Sequence, residues 1–338
     1  MIEKLRLQSK NPSYRRVAGE TSTHSFYNII STRTTTTTTD NTIVEGVWDD
    51  HDYAFNDAGK SIFSSREEMQ SRKMEYLKFL RVDLRENHER YHTRDGLYSS
   101  HLFRSTTSSK HNALVIFLDT RSQRDDHVVP SVATNHWIPL SALIAAMGRW
   151  ICASFGIGKE YDGDILGENQ WKWFENELAE YARNASSVIV VSSIQMFTSN
   201  PIVESWSHFP KSQQRFLNLI RDYKPRGLVV LSGDVHYAEI IAGPSDILEV
   251  TSSGMTHTCT GQWFGFFCPW MLSRFYKHRR DIESVYTEFN WGTSLFFFPF
   301  FPCESNLTQL YNNRYRGFRL GFRYCSSLDS RQKKYNCS

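Results

Sequence analysis

The residues best suited to chemistry stand in three short segments. In Leu231-Ser232-Gly233-Asp234-Val235-His236-Tyr237, a buried-strand pattern runs directly into an Asp and a His two positions apart. In an extended segment, residues i and i+2 project to one side. Asp234 and His236 are therefore expected to address one object beyond the strand's C-terminal end, where open α/β sheets place ligands. Gly233 is where the backbone can turn without a Cβ clash. A carboxylate and an imidazole on one face suit Zn, Fe or Mn. The plainer reading is an Asp that caps the next turn beside a satisfied histidine.

The second segment is Trp48-Asp49-Asp50-His51-Asp52-Tyr53-Ala54-Phe55-Asn56-Asp57. Four carboxylates and His51 crowd into nine positions after a short apolar lead. Packing like charges together costs free energy unless cations or hydrogen bonds neutralise them. A solvated Asp-rich turn would avoid that cost, but Trp48, Tyr53 and Phe55 imply partial burial, and a partly buried acidic cluster points to a metal. The spacing is not that of an EF-hand loop. In the third segment, Leu118-Asp119-Thr120-Arg121-Ser122-Gln123-Arg124-Asp125, a strand ends in Asp and arginines follow. An arginine there could clamp phosphate bidentately, although locally a surface Asp–Arg pair is the simpler reading. Carboxylates and imidazoles hold metal and arginines bind anions, so the three segments together suit phosphate-ester hydrolysis at a two-metal centre.

These segments need elements to hold them. The continuous apolar runs at 113–118, 187–192 and 227–232 read as buried strands, and 240–241 and 247–251 continue as strands. Ser64 to His92 has helical spacing, with Met74, Leu77, Leu80 and Leu84 as its apolar stripe. Leu166 to Tyr181 and Pro210 to Tyr223 read as further helices. Helices alternating with buried strands indicate an α/β layered domain. It is expected over 43–295, after a poorly structured Thr/Ser-rich leader at 1–42 and before a divergent Phe-rich and polar tail at 296–338.

Composition narrows the function classes. Of 338 residues, 40% are hydrophobic and 22% charged, which excludes a disordered chain, a collagen-like repeat and a coiled-coil rod. Thirty-nine basic against 36 acidic residues leave a net charge of +3, which gives no electrostatic case for nucleic acid. No secretory signal is readable at Met1-Ile2-Glu3-Lys4-Leu5-Arg6. The best apolar run, Trp137 to Gly158, contains Pro139 and Arg149 and has too short a core to span a bilayer, so a buried or interfacial helix is expected there. Leu295 to Phe301 is expected to be a buried strand, or else a sticky patch at a membrane surface. The six cysteines show no C-x-x-C spacing.

The residues also resemble a known family. Trp48-Asp49-Asp50-His51-Asp52-Tyr53 followed by Asn56-Asp57-Ala58-Gly59 looks like the signature of the PhoD-like (alkaline phosphatase D) metallophosphatases. Leu118-Asp119-Thr120-Arg121, Leu166-Gly167-Glu168 with Gln170-Trp171, and Ser232-Gly233-Asp234-Val235-His236-Tyr237 resemble later motifs of that family in the same order. Thr251 to His257 and Asn290-Trp291-Gly292 fit its C-terminal part. The resemblance covers about 45–295. It implies a calcineurin-like metallophosphoesterase fold, a β-sandwich flanked by helices, and hydrolysis of phosphate mono- or diesters by a metal-activated hydroxide. It also implies two metal ions per site (Fe, Ca, Mn or Zn), with Asp50, Asp234 and His236 as ligands. His51 would assist the leaving oxygen, Arg121 would hold the phosphate, and Asp49, Asp52, Tyr237 and Asp119 would support them. The implied partner is a small phosphate ester or a phospholipid head group.

The chain departs from the family in two places: after Gly292, where the Phe-rich run and the segment Tyr311 to Ser338 do not resemble it, and upstream of Asp49. The upstream strand ending in Gly-Asp-x-x-Tyr, whose Asp bridges the metals, has no counterpart. The carboxylates before Asp49 are Glu3, Glu20, Asp40 and Glu45, and none stands in such a motif. The fold is thus expected to be incomplete at its N-terminal side. Two alternatives follow: a non-catalytic relative with a half-built metal site, and a membrane-associated lipid phosphoesterase.

Overall fold

The computed structural model describes residues 45–80, 93–104, 112–254 apart from 130, 133–136 and 139, 257–274 apart from 262–264, 285–288 and 290, and the backbone of 292–296 and 318–322. The Thr-rich leader, Leu84 and most of the Phe-rich run lie outside these residues.

The centre is a seven-stranded mixed sheet. In chain order its strands are β1 (Ser99–Arg104), β2 (Asn112–Leu118), β3 (Ser187–Ser192), β4 (Val229–Ser232), β5 (Ala238–Ala242), β6 (Leu248–Ser252) and β7 (Val285–Tyr286). Their order across the sheet is β1-β2-β3-β4-β6-β5-β7. Strands β2, β3, β4 and β6 run parallel, while β1, β5 and β7 pair antiparallel at the flanks. The layered α/β expectation holds in this form: one mixed sheet flanked by helices. The backbones of β8 (Gly292–Phe296) and β9 (Phe318–Phe322) form a separate parallel pair.

Alternation along the strands divides the core. Leu114, Ile116 and Leu118 of β2, Val188 and Val190 of β3, and Val230 of β4 all belong to the main cluster. That cluster also contains Trp171 and Phe174 from helix α4 (Gly167–Glu177), Phe216 from helix α5 (Pro210–Tyr223), and Trp206. The intervening residues Val115, Phe117 and Ile189 form a smaller cluster. Successive side chains of a strand point to opposite faces, and central parallel strands are apolar on both. That is why these strands were readable as continuous runs. A third cluster joins Trp48 and Tyr53 to Tyr76, Leu77 and Leu80 of helix α2 (Arg66–Leu80). It fixes the Asp-rich segment, which forms the four-residue helix α1 (Asp50–Tyr53).

Register then aligns the chemistry. Leu118 pairs with Ser192, Val191 with Leu231, and Ser232 with Thr251. The C-terminal ends of β2, β3, β4 and β6 are therefore level, and the loops that follow them emerge along one edge.

Helix α3 (Ser141–Ser154) forms inside the expected apolar run. It is not buried, because Leu143, Ile144, Met147, Trp150 and Ile151 are all exposed. Its attachment is polar instead: Arg149 donates from Nε to the Ile202 carbonyl at 2.7 Å and from Nη1 to Asp57 at 2.6 Å. Among the described residues, no helix is long and apolar enough to cross a membrane.

Candidate functional site

The Asp-rich segment is legible residue by residue. Trp48 and Tyr53 are buried and meet edge to face with ring centroids 4.9 Å apart. Asp49 caps helix α1, and Asp52 closes a capping box by accepting the Asp49 N–H at 3.2 Å. Asp50 is buried and accepts backbone N–H groups from His51 at 2.6 Å and Asp57 at 3.0 Å. His51 is exposed. Phe55, expected among the burying aromatics, is exposed as well. Gly59 lies where a Cβ would stand 2.7 Å from the Arg124 carbonyl oxygen, which requires a residue without a side chain.

The loop after β4 corrects a detail of the reading from sequence. The strand ends at Ser232, and Asp234 and His236 both adopt left-handed conformations, with φ of 72° and 62°. They are not neighbours on one extended face. Two non-glycine residues held in this region are strained, a condition that persists where surrounding contacts impose it. Here Gly233 donates to the Ser193 carbonyl at 3.2 Å, His236 donates to Ser253 Oγ at 3.2 Å, and Cys259 donates to the His236 carbonyl at 2.8 Å.

The outcome is a cluster of carboxylates. One ligand atom each from Asp49, Asp50 and Asp234 lies within 4.8 Å of the others. Asp49, expected only as a supporting residue, belongs to this set, and His236 does not. Electrostatics register the crowding. Burial, then the charge of Asp49, pushes the Asp50 carboxyl up to about 6. Burial, then Asp49 and Asp50, holds the Asp234 carboxyl well above the usual carboxylate range. Burial, then His257, lowers the His236 imidazole and favours its neutral, metal-ligating form. The His236 and His257 ring centroids are 6.1 Å apart. Oxygen donors from three acids with a neutral imidazole beside them fit a hard or borderline divalent cation. Such an ion would also relieve the repulsion that shifts these groups.

Arg121 does not stand ready for a phosphate. Its guanidinium is fully buried and donates from Nε and Nη2 to Asp49 at 3.0 and 2.6 Å, and from Nη1 to Glu204 at 2.7 Å. With these donors committed to protein acceptors, it fixes Asp49 in place. Burial alone would lower its pKa, but Glu204 and Asp49 raise it well above the ordinary value. Asp119 sets up the turn that aims it, accepting from the backbone N–H groups of Arg121 at 2.9 Å, Ser122 at 3.0 Å and Leu97 at 2.6 Å. Gln170 locks the same corner by exchanging two 2.8 Å bonds with the Asp119 backbone. Tyr237 is buried, with its hydroxyl 3.5 Å from Gln195 Oε1. Asn290 ties the loop after β6 to the core, accepting from the Gly254 N–H at 3.1 Å.

A second cluster, Asp57, His127 and Glu204, lies beside the first and was not foreseen as a unit. It is an ion-pair network. Glu204 faces Arg121 at 2.7 Å, with Arg124 and His127 each at 3.3 Å, and Asp57 faces Arg149 at 2.6 Å. The arginines overcome burial and hold the Glu204 carboxyl well below its usual range. Glu204 stands alone in sequence among polar and apolar residues. Its only local signal is the neighbouring Trp206, a core-type residue.

Comparison with known proteins gives the setting. The chain is similar to a solved structure of PhoD, with 19% identity over 61% of this chain and a TM-score of 0.37, and it spans 38% of that structure's chain. It is also similar to a dimetal phosphatase from Danio rerio, with 14% identity, 57% of this chain and 69% of that chain covered, and a TM-score of 0.28. No curated protein matches the chain. A family model described as PhoD-like phosphatase matches residues 37–259, a span that takes in the Asp-rich helix, the Arg121 turn and the Asp234–His236 loop. By that match, the chain belongs to the PhoD-like phosphatase family.

Proposed function

We propose that this chain hydrolyses phosphate esters, with Asp49, Asp50 and Asp234 as the centre that holds a divalent cation and His236 completing it. The observation that carries this reading is the convergence of three acids from the start of helix α1 and the loop after β4, two of them with raised pKa values, in a PhoD-like chain. When bound, such a metal supplies Lewis-acid stabilisation of the phosphoryl oxygens and a lowered pKa for an attacking water. The protein's own part is positional. Asp50 is fixed by two backbone N–H groups, and Asp49 is fixed by Arg121. On this reading His51, exposed on helix α1, would give a proton to the departing ester oxygen. The family's usual pair of metals would call for a further bridging carboxylate. Among the described residues no other acid joins this set. That favours a second reading, a metal-binding relative with an incomplete centre.

One experiment separates the two. The purified chain is assayed for bound metal by elemental mass spectrometry and for turnover of p-nitrophenyl phosphate and bis-p-nitrophenyl phosphate, with Asp234→Ala alongside. Bound metal and measurable turnover, both lost in the variant, are the expected result. Metal without turnover of either ester would sink the catalytic reading and leave the binding one.

A further inference from the structure

The loop that carries Asp234 and His236 is gripped from two sides. His236 keeps a left-handed backbone, with φ of 62°, and Asp234 just before it has φ of 72°. A non-glycine residue stays in that region only where its contacts impose it. On one side, the Cys259 N–H donates to the His236 carbonyl at 2.8 Å. That bond is shorter than the 3.2 Å bond from the His236 N–H to Ser253 Oγ and the 3.3 Å bond from the Ser253 N–H to the Tyr237 carbonyl. On the other side stands helix α6 (Cys268–Arg274). Its Cys268 and Leu272 are buried and share one apolar cluster with Tyr237, the residue that follows His236.

A covalent bond joins the two grips. Cys259 and Cys268 form a disulfide, with Cα atoms 5.9 Å apart. The circuit is closed: the His236 carbonyl meets the Cys259 amide, the Cys259 sulfur meets the Cys268 sulfur, Cys268 packs on Tyr237, and the chain returns to His236. Two further ties of the Cys259 segment lead elsewhere. Gly261 donates to the Thr258 carbonyl at 3.1 Å, and Thr260 Oγ1 donates to the Thr287 carbonyl at 3.1 Å. Neither reaches the Asp234–His236 loop.

We infer that the Cys259–Cys268 disulfide is a positioning element of the candidate metal centre: it keeps the Cys259 amide on the His236 carbonyl and so holds His236 in its left-handed conformation. The two cysteines act through His236, so the bearing of the disulfide on a cation rests on the reading of His236 as a ligand. The centre thereby depends on oxidation state. A dithiol supplies two electrons and two protons, the S–S bond opens to two thiols, and the dithiol closes to its own disulfide. Cys259 is then released from Cys268, and the hold on His236 is lost with it.

The test begins with the metal-free full chain. Hydrogen exchange at the Cys259 amide, followed by NMR, should quicken roughly tenfold or more when dithiothreitol opens the link, while the Val190 amide inside β3 keeps its rate. Cys268→Ser, which leaves Cys259 and its N–H in place, should do the same without a reductant. Binding of Mn²⁺ is then titrated by calorimetry. Cys268→Ser should weaken it by about 10–100-fold, the scale on which groups that orient a metal ligand act. In a His236→Ala background the same substitution should change Mn²⁺ affinity no further, because the link acts through His236. Unchanged exchange at Cys259 in both the reduced chain and the variant would overturn the inference. So would equal quickening at Cys259 and Val190, or equal weakening of Mn²⁺ binding with and without His236, either of which marks a bond that merely braces the fold. A natural, oxidised chain that binds no Mn²⁺ would instead sink the metal-centre reading, and the exchange rates would still decide whether the disulfide holds the loop.

Discussion

Two acidic clusters stand side by side in this chain, and they are opposites. Asp57 and Glu204 are surrounded by Arg121, Arg124 and Arg149, and the resulting network is closed. Among the described residues, the arginine ion-paired to the set Asp49, Asp50 and Asp234 is Arg121, which reaches just Asp49 of the three. One cluster's acid is held below its ordinary range, whereas two acids of the other are pushed above it. Burial acts on both, so the difference lies in the number of cations supplied by the fold. A closed network is structure, and an open one is a place for a cation from outside. Arg121 belongs to both, and it transmits the rigidity of the first cluster to the second.

The sharpest way to break this contrast is to open the closed cluster. Glu204→Ala would leave the buried Arg124 guanidinium without its acid and Arg121 with Asp49 alone, so it should destabilise the fold by about 3–5 kcal/mol in urea unfolding. A loss under 1 kcal/mol would mean that the network is not structural. It should also loosen Asp49, so metal affinity should fall even in the folded fraction.

Proton uptake should affect the two clusters in opposite directions. His208 abuts His127 with ring centroids 5.5 Å apart, and burial followed by His127 lowers it from 6.5 to about 4. Its neutral form stabilises the fold fully above pH 6.5, and that contribution is lost as pH falls through 6.5 toward 4, up to about 3 kcal/mol. His208→Gln, which keeps a donor for the Val203 carbonyl now met at 2.9 Å, should flatten this acid-side decline. Unfolding free energies at pH 7 and pH 4.5 check it, and equal declines in the two proteins would refute the assignment.

At the open cluster, His51→Ala should lower kcat by roughly 10²–10⁴-fold with metal content retained, since a general acid contributes at about that scale. Loss of metal in this variant would make His51 a ligand. The smallest effect expected is a gain. In metal-free protein at pH 8, Asp234→Asn should raise stability by about 1 kcal/mol, because it removes one of three mutually repelling charges. A destabilisation would show that Asp234 is already compensated.

Much of this was legible from the order of residues. The central strands were readable because parallel strands with both faces covered are continuous β-branched runs. Trp48, Tyr53 and the four carboxylates within nine positions marked a partly buried set of acids. Strand β1 was missed. Ser99–Arg104 is short, mixed in polarity and on the sheet's edge, so its identity depends on pairing with β2 rather than on its own pattern. Helix α3 was readable as an apolar helix, buried or interfacial, but not as which of the two, since composition records an affinity and not whether a neighbour is present.

The sequence by itself determined the residue types, the β–α alternation, the family and the acids from which a metal centre could be built. Tertiary structure alone decided which acids meet. It set Asp49 beside Asp234, turned Arg121 from a supposed phosphate clamp into the strut between Asp49 and Glu204, and gave Glu204 its partners. The physical reason is range. Strand and helix patterns are set by neighbours a few residues away. The charge state and role of a buried ionisable group are set by whatever other charges the fold brings within a few ångströms, and those lie up to 185 positions apart in this chain, from Asp49 to Asp234.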